Sequence, residues 1–204
     1  MNKLIILVIL CSVFLFTACN QSVDKNELKP NKRDIILENI HSRKSVRNFI
    51  EGKTIPKEDM EILMKAAMAA PTAVNLQPWH FVIIDNRTGL DSLSKGLPYA
   101  KMLTKASAAI IVCGDSSIKA GDMTFWELDC SLASANILLA AEAMGLGAVW
   151  TAVYPSPKNI EFVKQYLQLP DNIIPLNVIP IGYPTGDDKA KDKYKTEKVH
   201  YNKW

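Results

Sequence analysis

Several patterns that mark common functions are missing from this chain. Its four cysteines and three histidines are scattered, with no Cys-x-x-Cys pair, so no zinc-site spacing is present. No Gly-x-Gly-x-x-Gly stretch occurs, which leaves no pyrophosphate cradle of the dinucleotide-binding kind. The net charge is only +3, from 24 Lys and Arg against 21 Asp and Glu, too small for a nucleic-acid surface. The apolar run Leu4 to Phe16 is shorter than the roughly 20 residues that a membrane span needs. What is there is a chain of 204 residues, 48% hydrophobic and 22% charged, enough for one globular domain with a real core.

The start reads as an address. Lys3 gives a positive beginning, the run to Phe16 is almost wholly apolar, and small Thr17 and Ala18 precede Cys19. Residues 1–18 are expected to be a signal peptide. Phe16-Thr17-Ala18-Cys19 resembles a bacterial lipobox, with Cys19 as the lipidated first residue of the mature protein. An ordinary signal peptide cleaved nearby, or a retained anchor, is the alternative. Two or three acyl chains would hold the protein stably on a membrane. The expected localisation is an exported, membrane-anchored lipoprotein, on the periplasmic or cell-surface side. Residues 19–32 are polar and without apolar period, the pattern of a flexible tether. The folded domain is expected over 33–204.

After a helix-like apolar run, Ile35, Ile36, Leu37 and Ile40, comes Arg43-Lys44-Ser45-Val46-Arg47. In an extended backbone the side chains of 43, 45 and 47 leave on one side. Two guanidinium forks and a hydroxyl there suit one phosphate monoester held by several donors. Read alone, the stretch is as compatible with a solvated basic turn.

Further on, Pro56 opens a helix with acidic Glu58, Asp59 and Glu61 at its positive end, and Met60, Leu63, Met64, Ala67 and Met68 form its apolar face. The segment Pro71 to Trp79 is a loop by composition, rich in Pro, Asn and Gln. Its amides carry both donors and acceptors, the equipment for reading the edge of a heterocycle, or for satisfying their own turn. His80 to Asp85 reads as a strand. Asp85 to Gly96 reads as a turn and a short irregular helix. Ala108 to Cys113 is a continuous apolar run, the pattern of a strand buried on both faces. Gly114 to Phe125 reads as a loop or a lid.

Trp126 to Met144 is the longest helical run. Leu128, Leu132, Ala135, Leu138, Leu139 and Ala143 define its apolar face, and little polar face remains after Leu132. That predicts burial on all sides, and with it a subunit interface. Gly145 suits the C-terminal cap. Cys113 and Cys130 read as small core residues. Leu146 to Pro155 reads as one strand, Lys158 to Leu169 as an amphipathic helix, and Ile173 to Pro184 as a strand whose inner prolines predict an edge or a bulge. The tail from Asp187 is rich in lysine and ends in Val199, His200, Tyr201 and Trp204, which need a surface to rest on.

Taken together, these stretches resemble the nitroreductase family of flavin oxidoreductases from Arg33 to Trp204. Arg-x-Ser-x-Arg is present as Arg43, Ser45 and Arg47, and Pro-Ser/Thr-x-x-Asn-x-Gln-Pro-Trp as Pro71, Thr72, Asn75, Gln77, Pro78 and Trp79. Gly145-Leu146-Gly147 precedes a strand, and the tail ends His-x-x-x-Trp. The resemblance implies an α+β fold, a three-layer sandwich with a central, mainly antiparallel sheet flanked by helices, in an intertwined homodimer. It implies FMN at the dimer interface. Arg43, Lys44, Ser45 and Arg47 would lie at the phosphate and ribitol. Pro71, Thr72, Ala73, Asn75 and Gln77 would approach the flavin from the other chain. Trp150, Thr151 and Ala152 would lie under the ring near N5. Lys193, or failing it Lys195, would complete the phosphate site. The implied reaction is ping-pong: NADH or NADPH gives hydride to flavin N5, and a quinone, nitroaromatic or similar small-molecule acceptor removes it. No catalytic side chain, metal or nucleic-acid partner is expected. Two other readings stay open: a specialised relative such as a reductive dehalogenase, and a non-catalytic flavin-binding surface lipoprotein.

Overall fold

The structure is a computed structural model and describes residues 31–204, of which Arg33–Trp204 form one compact unit. The expected signal peptide, Cys19 and nearly all of the expected tether lie outside the described residues. Five α-helices are described: α1 (Lys32–Ser42), α2 (Lys57–Met68), α3 (Arg87–Gly96), α4 (Trp126–Ala143) and α5 (Pro157–Leu167). The strands are β1 (Trp79–Ile84), β2 (Ala108–Asp115), β3 (Gly147–Ala148), β4 (Thr151–Ala152) and β5 (Ile173–Gly182). They form one antiparallel sheet in the order β1-β2-β5-β3, with β4 also on β5.

Alternation along β2 and β5 builds a core on each side of the sheet. Ile110, Val112, Ile179 and Ile181 point to one layer, where they meet Met60, Leu63 and Ala67 of α2 and Cys130, Ala133, Ile137 and Ala141 of α4. Ile111, Cys113 and Val178 point to the other, against Leu90 and Leu93 of α3 and Val163 of α5. The result is the α+β three-layer sandwich. The continuous apolar run of β2 is explained by these two cores: seven of its eight residues are buried.

Three local expectations are corrected. The segment after Asp85 is a regular ten-residue helix, because Asn86 caps it by accepting from the Gly89 amide at 2.8 Å. β5 is central and not an edge, flanked by β2 and by β3 and β4, and the bulge expected at its prolines is present: the register shifts beside Pro175, and the partner strand is broken facing Pro180. Leu146 to Pro155 is accordingly not one strand. Gly147↔Gly182, Ala148↔Ile181, Thr151↔Val178 and Ala152↔Asn177 keep a single register, interrupted at Val149 and Trp150. Val149 donates to the Pro180 carbonyl at 3.3 Å, but Pro180 has no N–H to return.

The face of α4 is the third correction. Trp126, Asp129, Cys130, Ala133, Ser134, Ile137 and Ala141 turn inward, while Leu128 and Leu132 are 62% and 44% exposed within this chain and Ala135 and Ala143 are exposed too. Both faces are apolar, so the pattern cannot choose between them. The small side chains win the inner position because they let the helix approach the sheet closely. α4 ends in a Schellman cap: Gly145 at φ +70° donates to Glu142 O at 3.0 Å and Leu146 to Ala141 O at 2.8 Å. α1 buries none of its residues, and Ile35, Ile36, Leu37 and Ile40 are 40–50% exposed. Among the described residues no helix is long and apolar enough to cross a membrane.

Candidate functional site

Ser45, Val46 and Arg47 alternate exposed, buried, exposed, while Arg43 and Lys44 are both half-buried. Val46 is buried and donates to Ala148 O at 3.1 Å, and Lys44 turns to the same side, with Nζ 3.1 Å from Glu142 Oε1. Arg43, Ser45 and Arg47 border a cleft of roughly 540 Å³ on the other side. The chain beyond β5 runs back along this stretch: Ile50 donates to Tyr183 O at 2.8 Å, Thr185 to Asn48 O at 3.1 Å, and the Arg47 amide to Asp188 Oδ2 at 3.2 Å. This brings Lys189, Lys191 and Lys193 to the cleft, which Lys195 does not line. Five cations, Arg43, Arg47, Lys189, Lys191 and Lys193, therefore border it against the carboxylates of Asp187 and Asp188, with Lys44 at its rim but paired to Glu142. Asp187 accepts from Thr185 Oγ1 at 2.7 Å. A cluster of cations with guanidinium forks and a free hydroxyl favours an anion with several oxygens, as a phosphate monoester has.

Arg47 also lines a second cleft, with Pro98, Tyr99, Lys101, Met102 and the interrupted strand Val149, Trp150, Thr151 and Ala152. The two clefts thus meet at one guanidinium. Thr151 is 5% exposed, and its hydroxyl has no hydrogen-bond partner. A buried unpaired hydroxyl costs stability unless something supplies the partner. Pro98, Tyr99, Lys101 and Met102 escaped the sequence reading. An exposed tyrosine behind a proline between a helix and a strand was the available signal.

The loop with Pro71, Thr72, Ala73, Asn75 and Gln77 lines neither cleft. Its backbone is unusual: Val74, Asn75 and Gln77 sit at φ +40°, +61° and +51°. Asn tolerates this region, but a β-branched Val does so only under strain. Internal bonds hold the turn. Gln77 Nε2 donates to Asn75 Oδ1 at 2.8 Å, and the Gln77 amide donates to Thr72 Oγ1 at 3.2 Å. The Ala73 amide donates to Asp129 Oδ1 at 3.1 Å.

Tyr154, beyond the interrupted strand, donates its hydroxyl to Glu127 Oε1 at 3.0 Å, and that carboxylate holds the phenol above its usual pKa. Cys113 and Cys130 are free thiols in opposite core layers, and burial pushes both up to about 12. Among the described residues no group of three or more His, Cys, Asp or Glu side chains is placed to hold a metal ion.

A family model described as the nitroreductase family matches residues 40–97 and 89–183. A protein of Methanothermobacter thermautotrophicus, provisionally named NADH dehydrogenase/NAD(P)H nitroreductase, is 42% identical over 176 residues, 86% of this chain and 91% of its own. Two crystal structures of proteins given the same provisional name are 50% identical to this chain. That from Parabacteroides distasonis has a TM-score of 0.78 and covers 83% of this chain and 99% of its own. That from Bacteroides thetaiotaomicron has a TM-score of 0.79, over 83% and 98%.

Proposed function

The chain belongs to the nitroreductase family, and on that premise we propose that it is an FMN-dependent NAD(P)H oxidoreductase acting as a homodimer. The observation that carries this reading is the meeting of two clefts at Arg47: one bordered by Arg43, Ser45 and Lys193, the other by Trp150, Thr151 and Ala152. The residues fit the group. A terminal phosphate would find guanidinium and ammonium donors in the first cleft, with the ring along the strand in the second. The unpaired Thr151 hydroxyl is a donor waiting at that strand.

When bound, FMN supplies hydride acceptance from NADH or NADPH and hydride donation to a quinone, nitroaromatic or similar acceptor. The protein supplies position and charge. Arg43, Ser45 and Lys193 would anchor the phosphate end. Arg47, which lines both clefts, would supply positive charge that favours negative charge on the flavin. Thr151 and Ala152 would hold the ring and exclude water from one side. No side-chain acid or base is needed, so no residue is assigned that role.

The 71–77 loop lines neither cleft of its own chain, which supports its service to a site on the second subunit. The outward Leu128 and Leu132 of α4 and the exposed isoleucines of α1 form the apolar surface that such a two-fold dimer would cover. The export reading is part of the proposal and rests on the sequence alone: cleavage before Cys19, with lipid on that residue. The intact mass of the membrane-extracted protein tests it, and a mature chain with unmodified Cys19 rejects it.

The central test is the absorption spectrum of the purified protein. A bound flavin released as FMN, and bleached by NADH or NADPH without oxygen, is the expected result. A colourless protein that takes up no FMN overturns the reading. FMN bound but never reduced by either nucleotide would leave a flavin-binding module.

A further inference from the structure

Asp129 is a carboxylate in the wrong place for a surface charge. It is 3% exposed, in the first turns of α4, with Trp126 and Cys130 of the same helix in the core on either side of it. Its Oδ1 accepts the Ala73 amide at 3.1 Å, and its Oδ2 is buried with no partner. Burying a carboxylate with half its acceptor capacity unused is costly. Such a cost persists where the surrounding structure demands it, and Ala73 heads the one segment among the described residues with three left-handed residues that are not glycine.

We infer that Asp129 is a positioning residue: a clamp that holds the Thr72–Gln77 loop in its strained, binding-ready shape. The turn's other bonds are all internal to it: Gln77 to Asn75, Gln77 to Thr72, Asn75 to Thr72 O and Leu76 to Ala73 O. Those bonds define a shape but do not fasten it to the body of the fold. The Ala73–Asp129 bond reaches across 56 positions of sequence to α4. A charged acceptor makes that bond stronger than a neutral one would. Its strength offsets the left-handed strain at Val74 and keeps Asn75 and Gln77 presented outward, where both are exposed. Pre-ordering the loop removes an ordering cost from ligand binding. The assignment of the loop to a flavin rests on the function proposed above; the clamp itself does not.

Asp129→Ala and Asp129→Asn in the full mature protein test it. Asn keeps an oxygen acceptor for the Ala73 amide, and Ala does not. With Ala, the FMN dissociation constant of the apoprotein should rise about tenfold, the scale of a lost charge-assisted bond. The visible circular dichroism of bound flavin should change, and protease should cut apoprotein between 72 and 77 faster. With Asn, which keeps a neutral acceptor, all three should fall between wild type and Ala. Equal constants and equal cleavage for Ala and wild type overturn the clamp. So does an Asn variant as impaired as Ala, since the effect would then belong to buried charge. If the Ala variant fails to fold, hydrogen exchange of the wild-type protein decides. The Ala73 amide should be protected well beyond that of Val74, and equal exchange overturns the inference. A wild type that binds no FMN rejects the proposed function, while cleavage and exchange still judge the clamp.

Discussion

Lys44 Nζ lies 3.1 Å from Glu142 Oε1, and the two side chains are 25% and 14% exposed. The pair ties the basic stretch to the end of α4 and turns one cation of five neighbouring residues away from the other two. The expected effects divide accordingly. Arg47→Ala should weaken FMN binding by roughly 1.5–3 kcal/mol, the range for a hydrogen bond to a charged group. Lys44→Ala should change it by less than about 0.5 kcal/mol and instead lower stability by about 1 kcal/mol, the upper end of the range for exposed ion pairs, because this pair is part-buried. Flavin fluorescence titration and urea unfolding measure the two. A Lys44 variant that loses FMN as badly as the Arg47 variant would return Lys44 to the phosphate.

Arg43 borders a cleft that the Asn75 loop of the same chain does not line, so a site that uses both needs two chains. A mixed dimer with Arg43→Ala on one tagged chain and Asn75→Ala on the other puts both defects in one site if sites are shared. The other site is then intact, and bound FMN and activity should recover towards half of wild type. If each chain builds its own site, both stay defective. The readout is FMN per mixed dimer, with its composition verified by mass.

Val74 sits at φ +40° and is 78% exposed, so its side chain gains little where it is. A left-handed conformation costs an L-residue about 1–2 kcal/mol. Glycine avoids that cost but loses about 0.4–1 kcal/mol through the freer unfolded chain. Val74→Gly should therefore raise stability by up to about 1.6 kcal/mol, read as a higher urea midpoint at unchanged slope. A lower midpoint would mean that Val74 is packed against something in the assembled protein.

Cys113 and Cys130 are held protonated by burial, at about 12 against an ordinary 9.0. Their folded pKa lies above the unfolded one. Each therefore adds stability that is whole below pH 9 and is lost as pH rises from about 9 to about 12. The folded protein should resist thiol reagents at both positions at pH 8. Unfolding experiments should show stability falling across that alkaline window, less steeply for Cys113→Ala. Rapid labelling of either residue in the folded protein would contradict the buried placement.

Much of what places the site is local and therefore legible in the sequence. Alternation along 43–47 puts Arg43, Ser45 and Arg47 on one side in any extended backbone. The uniform run of β2 announces a strand with a core on each face. The prolines, amides and absent periodicity of 71–79 announce a loop. These follow from periods of two and 3.6 residues and from turn chemistry, which need no partner.

Choices between locally equal options were left to the tertiary structure. α4 has two apolar faces, and only the sheet's demand for close approach selects Ala133, Ser134 and Ala141 over Leu128 and Leu132. Pro175 and Pro180 suggest an edge or a bulge, and only the neighbouring strands decide for the bulge: β5 is central, with a shifted register beside Pro175 and a broken strand facing Pro180. Lys193 is one lysine among many until the chain after Tyr183 folds back along residues 46–50. Asp129 looks like an ordinary acidic residue in a helix's first turns until Ala73 arrives from 56 positions away. Each of these depends on a long-range contact, which periodicity along the chain does not encode.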